Sequence, residues 1–181
     1  ELLDAARQRQ LQADALAALV RMADMATRGE AERFRLADQA LAEAERLLQA
    51  WAELPQARPD SLRVRIDRLG ALHARVRMAE LLEHYRQLQA EGVELPGYAL
   101  RWVASALLYL REPEQAAELY RWVIAGENDK HPLWLADHQG LFYALVESEQ
   151  LEEAHRLATR LAAQQPPRLY QPGNPEAAPN A

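Results

Sequence analysis

Residues 101–124 read "RWVASALLYLREPEQAAELYRWVI". Apolar and small residues recur there every three or four positions, which is the spacing of one helix face. The pattern breaks once, at "REP", and Pro113 stands where a second helix starts. Small residues sit at fixed places within it. Ala104 and Ala116 let two helices approach where larger side chains would hold them apart, and Tyr120 is bulky enough to fill a groove against a neighbour. The stretch therefore reads as two short helices built to pack on each other and on more of the same kind.

That order matches the degenerate pattern of a tetratricopeptide repeat, in which two helices span about 34 residues. Leu100, Val103, Ala104 and Leu107 follow the first helix of the pair, and Ala116 and Tyr120 follow the second. The next unit places Leu141, Leu145, Ala154 and Pro166 at the corresponding positions. An insertion is expected in "GENDKHP", residues 126–132, because Ala116 and Ala154 are 38 residues apart. Upstream, Leu69, Leu72, Leu81, Tyr85 and Leu88 form a poorer copy, with Leu81 lying 35 residues before Ala116. The expected fold is all-α: a tetratricopeptide-like helical repeat array preceded by a long helical hairpin. An ordinary helical bundle is the alternative.

Composition supports the helical class. Of 181 residues, 49% are hydrophobic and only 7 are Gly, and the chain is rich in the helix formers Ala, Leu, Arg, Glu and Gln. There is no Cys, so disulfides, thiolate metal sites and a cysteine nucleophile are excluded. No apolar run approaches the ~20 residues of a membrane-spanning helix. The chain opens at Glu1 without Met and is expected to be a fragment of something longer.

Charge is unevenly spread. The net charge is -6, yet residues 1–111 carry as many acids as bases. Residues 112–154 hold ten acids against Arg121 and Lys130, a net of -8. That acidic part disfavours nucleic acid and suits a cationic ligand.

Helices are expected at about 1–28, 31–51, 61–74, 77–91, 97–111, 113–126, 132–147 and 150–164, with Asp60 or Ser61 capping the third. Three parts follow: a hairpin over 1–58, repeats over 59–166, and a Pro-rich extended or disordered tail over 167–181.

No motif for covalent, phosphoryl-transfer or zinc-protease chemistry occurs, and no catalytic residue, metal or cofactor is expected. The five histidines, His73, His84, His131, His138 and His155, show no ligand spacing with carboxylates. The Arg-rich stretch 58–77 reads as a solvated face laced with Asp60 and Asp67, or else as a docking surface for an acidic partner. In tetratricopeptide repeats the first helix of each pair lines a concave face. That register directs Tyr98, Arg101, Ser105 and Tyr109 inward from one repeat, and Gln139, Tyr143 and Glu147 from the next, with Trp102, Trp134 and Asp137 near the edge. Aromatics there either pack neighbouring repeats or stack on sugar rings, and carboxylates pair with ammonium groups.

One family resembles this chain in particular. "ALRWVASALLYLREPEQAAELYRWVI" (99–124), "RIDRLGAL" (65–72), "EHYRQLQAEGVELP" (83–96), "LFYALVESEQLEEA" (141–154) and "QQPPRLYQPGNP" (164–175) resemble, in the same order, the periplasmic repeat region of outer-membrane porins that export poly-β-1,6-N-acetylglucosamine. The likeness covers roughly 61–176; residues 1–50 share only a helical, Ala-rich character. The resemblance implies a non-enzymatic scaffold on the periplasmic side of the Gram-negative outer membrane, acting in biofilm formation. It implies three partners: the partially de-N-acetylated polymer, a periplasmic de-N-acetylase, and a C-terminal β-barrel of the same polypeptide. A module binding only proteins is the competing reading.

Overall fold

The computed structural model describes residues 2–26, 29–126 and 131–164. The Pro-rich tail, Pro166 and most of the "GENDKHP" insertion lie outside the described residues. Eight α-helices occur among the described residues: α1 (Leu2–Asp24), α2 (Glu30–Trp51), α3 (Arg58–Ala74), α4 (Met78–Ala90), α5 (Gly97–Tyr109), α6 (Pro113–Ala125), α7 (Trp134–Glu147) and α8 (Leu151–Gln164). No strand is present among them, and no helix is long and apolar enough to cross a membrane.

The third helix departs from the sequence expectation. A 3-10 turn over Pro55–Ala57 leads into it, Pro59 sits in its first turn, and neither Asp60 nor Ser61 caps it. Asp60 instead takes the Arg9 guanidinium of α1 at 3.2 Å. A tertiary ion pair has claimed the carboxylate that would otherwise serve as a cap, and proline at the first turn makes the cap dispensable.

Repetition is visible in how the helices end. Val76, Arg111 and Glu149 adopt φ of 63°, 65° and 60°, each just beyond α3, α5 and α7. At each end the amide after the left-handed residue bonds a carbonyl five residues back in the helix: Arg77 to Leu72, Glu112 to Leu107 and Gln150 to Leu145, all at 2.9 Å. These are three copies of one C-terminal motif, 35 and 38 residues apart, and α4 ends the same way, with Gly92 at φ 75° and the Val93 amide bonding Leu88 at 3.0 Å. Side chains rarely occupy that conformation, and β-branched Val76 does so least readily. The turn is held because it sends the chain back along the helix it has just left.

Helices then pack in order, each on the next, with α3 also meeting α1, α2 and α5. One core runs from Ile66 to Leu157 and includes Val103, Ala104, Leu107, Ala116, Tyr120, Leu141, Leu145 and Ala154. A second joins α1, α2 and α3 through Leu16, Val20, Leu47, Trp51 and Val64. Leu41 and Trp102 touch both, so the hairpin docks onto the same body as the repeats.

Two glycines admit aromatic rings. A Cβ on Gly140 of α7 would collide with the Tyr120 ring of α6. On Gly70 of α3 it would lie 2.6 Å from both Trp102 Cη2 and Val20 Cγ1. Each ring rests on backbone, where any side chain would push it off.

Candidate functional site

Where Trp102 closes on α3 at Gly70, residues from three helices draw together. Ala17, Val20, Arg21 and Asp24 come from α1, Arg63 and Asp67 from α3, and Tyr98, Arg101 and Trp102 from α5, with Leu133 ahead of α7. They line a cleft of about 370 Å³. That lies within the ~300–1,000 Å³ of clefts that hold small molecules. Tyr98 stands edge-on to Trp102, ring centroids 5.5 Å apart, and remains 45% exposed. The pair forms an apolar wall with one edge open to solvent.

The polar groups are arranged in pairs around this wall. Arg63 binds Asp14 at 2.7 Å and lies 4.0 Å from Asp67 Oδ2. Arg101 Nε donates to both Asp137 oxygens, at 2.6 and 2.8 Å. Asp24 Oδ1 is 3.7 Å from His73 Nδ1, and the imidazole beside it holds its carboxyl below the usual carboxylate range. His73 in turn bonds Ser105 Oγ through Nε2 at 3.0 Å.

Asp67 is different. It is 5% exposed, and its Oδ2 is enclosed with no hydrogen-bond donor. Burial pushes its carboxyl up to about 6, against the opposing pull of Arg63 and Arg21. A buried acceptor without a donor is costly in a fold that otherwise satisfies its carboxylates so fully.

Of the residues nominated from sequence, the structure brings Tyr98, Arg101 and Trp102 into this cleft. Asp137 does not face an open groove. It is 2% exposed and committed to Arg101, because α5 lies close enough to α7 for the guanidinium to reach it. Trp134 is half-buried and stacks on His138 at 4.1 Å. Tyr109 and Tyr143 are 62% and 60% exposed and stand outside the cleft, as does exposed Gln139. Glu147 pairs with Arg111 at 2.6 Å. The acid-rich segment is thus partly neutralised: Arg86, Arg101, Arg111 and Arg156 reach Glu112, Asp137, Glu147 and Glu152 from outside it, and its own Arg121 binds Glu153.

Sequence reasoning missed Asp24, Asp67 and Arg63 as site residues, and with them the contribution of α1. The Arg-rich stretch is indeed laced with ion pairs, Arg65 to Glu91 and Arg75 to Asp38 among them. Arg63 nevertheless faces the cleft. Gly70, just before Ala71 in an otherwise strong helix, was the available signal, since glycine there lowers helix propensity unless something approaches closely.

A larger hollow, about 590 Å³, lies between the end of α2 and α3, lined by Trp51, Leu54, Arg58, Leu62, Arg65 and Val93 among others. Arg65 and Glu91 close on each other there in a two-bond pair of 2.7 and 2.6 Å. Among the described residues no cluster of three His, Asp or Glu is placed to hold a metal ion.

No family model matches the chain. Two curated relatives do: the poly-beta-1,6-N-acetyl-D-glucosamine export proteins of Escherichia coli strain K12 and Escherichia coli O157:H7, each 34% identical over 172 residues. The similarity covers 94% of this chain and 21% of each relative, so the chain spans about one fifth of the length of the curated relatives it matches.

Proposed function

We propose that this chain, a relative of those export proteins along nearly all of its own length, is their kind of polymer-handling segment. In this reading it is a non-enzymatic scaffold on the periplasmic side of the outer membrane. It binds partially de-N-acetylated poly-β-1,6-N-acetylglucosamine, works beside a de-N-acetylase, and passes polymer toward a β-barrel of the same polypeptide during biofilm formation. The observation that carries the reading is the Tyr98–Trp102 wall, set in a cleft with buried and exposed carboxylates and guanidiniums. Aromatic faces take the C–H side of pyranose rings, and planar charged groups take their hydroxyls. The cleft lies along α1, α3 and α5, so a linear chain can continue past it over exposed Tyr109 and Tyr143.

The test is calorimetric titration of the chain with β-1,6-linked glucosamine oligomers of defined acetylation. Affinity should be weak for short oligomers and rise with length as more units engage. Tyr98→Ala should weaken it roughly 3- to 10-fold, the share of one aromatic contact worth about 0.5–1.5 kcal/mol. Absence of binding by every oligomer, with a folded chain, would leave the competing protein-only adaptor. The apolar hollow formed by Met22, Met25, Ala26 and Leu36 speaks for that second reading, because Met-rich surfaces suit protein partners.

A further inference from the structure

The cleft is not acidic. Three guanidiniums, Arg21, Arg63 and Arg101, line it against two carboxylates, Asp24 and Asp67, while Asp14 is bound to Arg63 and Asp137 to Arg101. Counting those partners, the charges around the cleft nearly cancel, so an ammonium group gains little net attraction here for the hydration it gives up. A neutral pyranose has no charge to desolvate. Its hydroxyl and amide N–H groups donate to carboxylates, its oxygens accept from guanidiniums, and its C–H face lies on Trp102. Ala17, Val20 and Leu133 supply an apolar lining on which a methyl group can rest.

We propose that the α1–α3–α5 cleft seats an N-acetylated sugar unit in preference to a free-amine unit, with Asp67 accepting from a donor on that unit. The proposal rests on the polymer reading above and specifies which unit this cleft holds. Asp67 provides the independent observation: its carboxylate is nine-tenths buried, lines the cleft, and has an oxygen with no donor from the protein. Ligand supplies the missing donor. Arg63 is the movable part, since its side chain is 40% exposed and is bound to Asp14 more closely than to Asp67. Free-amine units of the same polymer are left to the exposed acids near α7 and α8, such as Glu149.

The decisive experiment compares two probes on the same chain: the β-1,6-linked trisaccharide of N-acetylglucosamine and its fully de-N-acetylated counterpart. Binding is read by calorimetry and by side-chain NMR shifts of Trp102 and Tyr98. The acetylated probe should bind at least ~5-fold more tightly and shift both aromatics. Asp67→Asn, checked by thermal melting for its fold, should weaken that probe about 10-fold, as expected when a neutral acceptor replaces a charged one. Tyr98→Ala should weaken it in a background that keeps Asp67. Equal or tighter binding of the de-N-acetylated probe, with shifts at Trp102, would overturn the proposal. So would oligomer binding that moves only Tyr109 or Tyr143 and ignores Asp67→Asn; that outcome leaves the polymer reading standing. Failure of both probes and of longer oligomers would remove both.

Discussion

The two ends of this array treat charge in opposite ways. In α7 and α8 and the turns beside them, the sequence is crowded with acids, yet the fold pairs them off. Asp137 is taken by Arg101, Glu147 by Arg111 and Glu153 by Arg121. In α1 and α3 the arginines outnumber the acids, yet the fold leaves Asp67 enclosed with one oxygen unanswered. Charge counted along the chain and charge available to a ligand are different quantities. The first is a property of composition, whereas the second depends on which helices touch.

The strongest way to break this comparison is to remove a buried partner. Asp137→Ala takes away the carboxylate that receives both Arg101 hydrogen bonds in a nearly dry site. It should cost about 3–5 kcal/mol in chemical denaturation. A loss below ~1 kcal/mol would mean that Asp137 is a solvated surface acid after all. Next in size is Gly70→Ala. The added methyl meets Trp102 and Val20, and the overpacking should cost about 1–3 kcal/mol and shift the indole fluorescence. Unchanged fluorescence would detach Trp102 from α3.

Asp67→Asn sharpens the contrast through pH. Burial raises this carboxyl from 3.8 in the unfolded chain to about 6 in the fold. The folded state therefore holds the proton more tightly. Stability linked to Asp67 is present below pH 3.8 and is lost as pH rises through about 6. The variant should be more stable than the parent at pH 7.5, by roughly 1–3 kcal/mol, and nearly equal to it near pH 4. Equal stability at both pH values would show that Asp67 carries no burial penalty. The smallest effect belongs to Glu147→Gln. Its exposed pair with Arg111 should contribute only ~0.2–1 kcal/mol, and that difference should vanish in high salt.

The array itself was legible because Leu, Ala and Tyr at helical spacing leave few other ways to bury an apolar face. Ala104, Ala116 and Tyr120 lie in the core, as their spacing requires. Its turns were less legible. The left-handed positions after α3, α5 and α7 carry Val, Arg and Glu, where glycine would have marked them. Asp60 looked like a helix cap, and nothing local indicated that Arg9 would claim it. The cleft was the hardest to foresee. Asp24, Asp67 and Trp102 meet only after three helices have packed, and α1 shares no repeat pattern with α5. A groove register drawn on α5 and α7 alone found Tyr98, Arg101 and Trp102 and could not supply the neighbours that α1 and α3 bring.

Arg101–Asp137 and Arg111–Glu147 both join residues 36 apart, one near the start of α5 and α7, the other at their ends. Equal offsets at both ends set the two helices parallel. The first tie is dry, with side chains 16% and 2% exposed; the second is wet, at 78% and 46%. Mechanically, this is a pivot with a loose far edge. Salt should soften the edge and leave the pivot stiff, so bending between these two turns of the array is expected to turn about Arg101 rather than stretch uniformly. If the polymer reading proposed above holds, a long chain drawn across this face would meet an unyielding wall at the cleft and a compliant one beyond it.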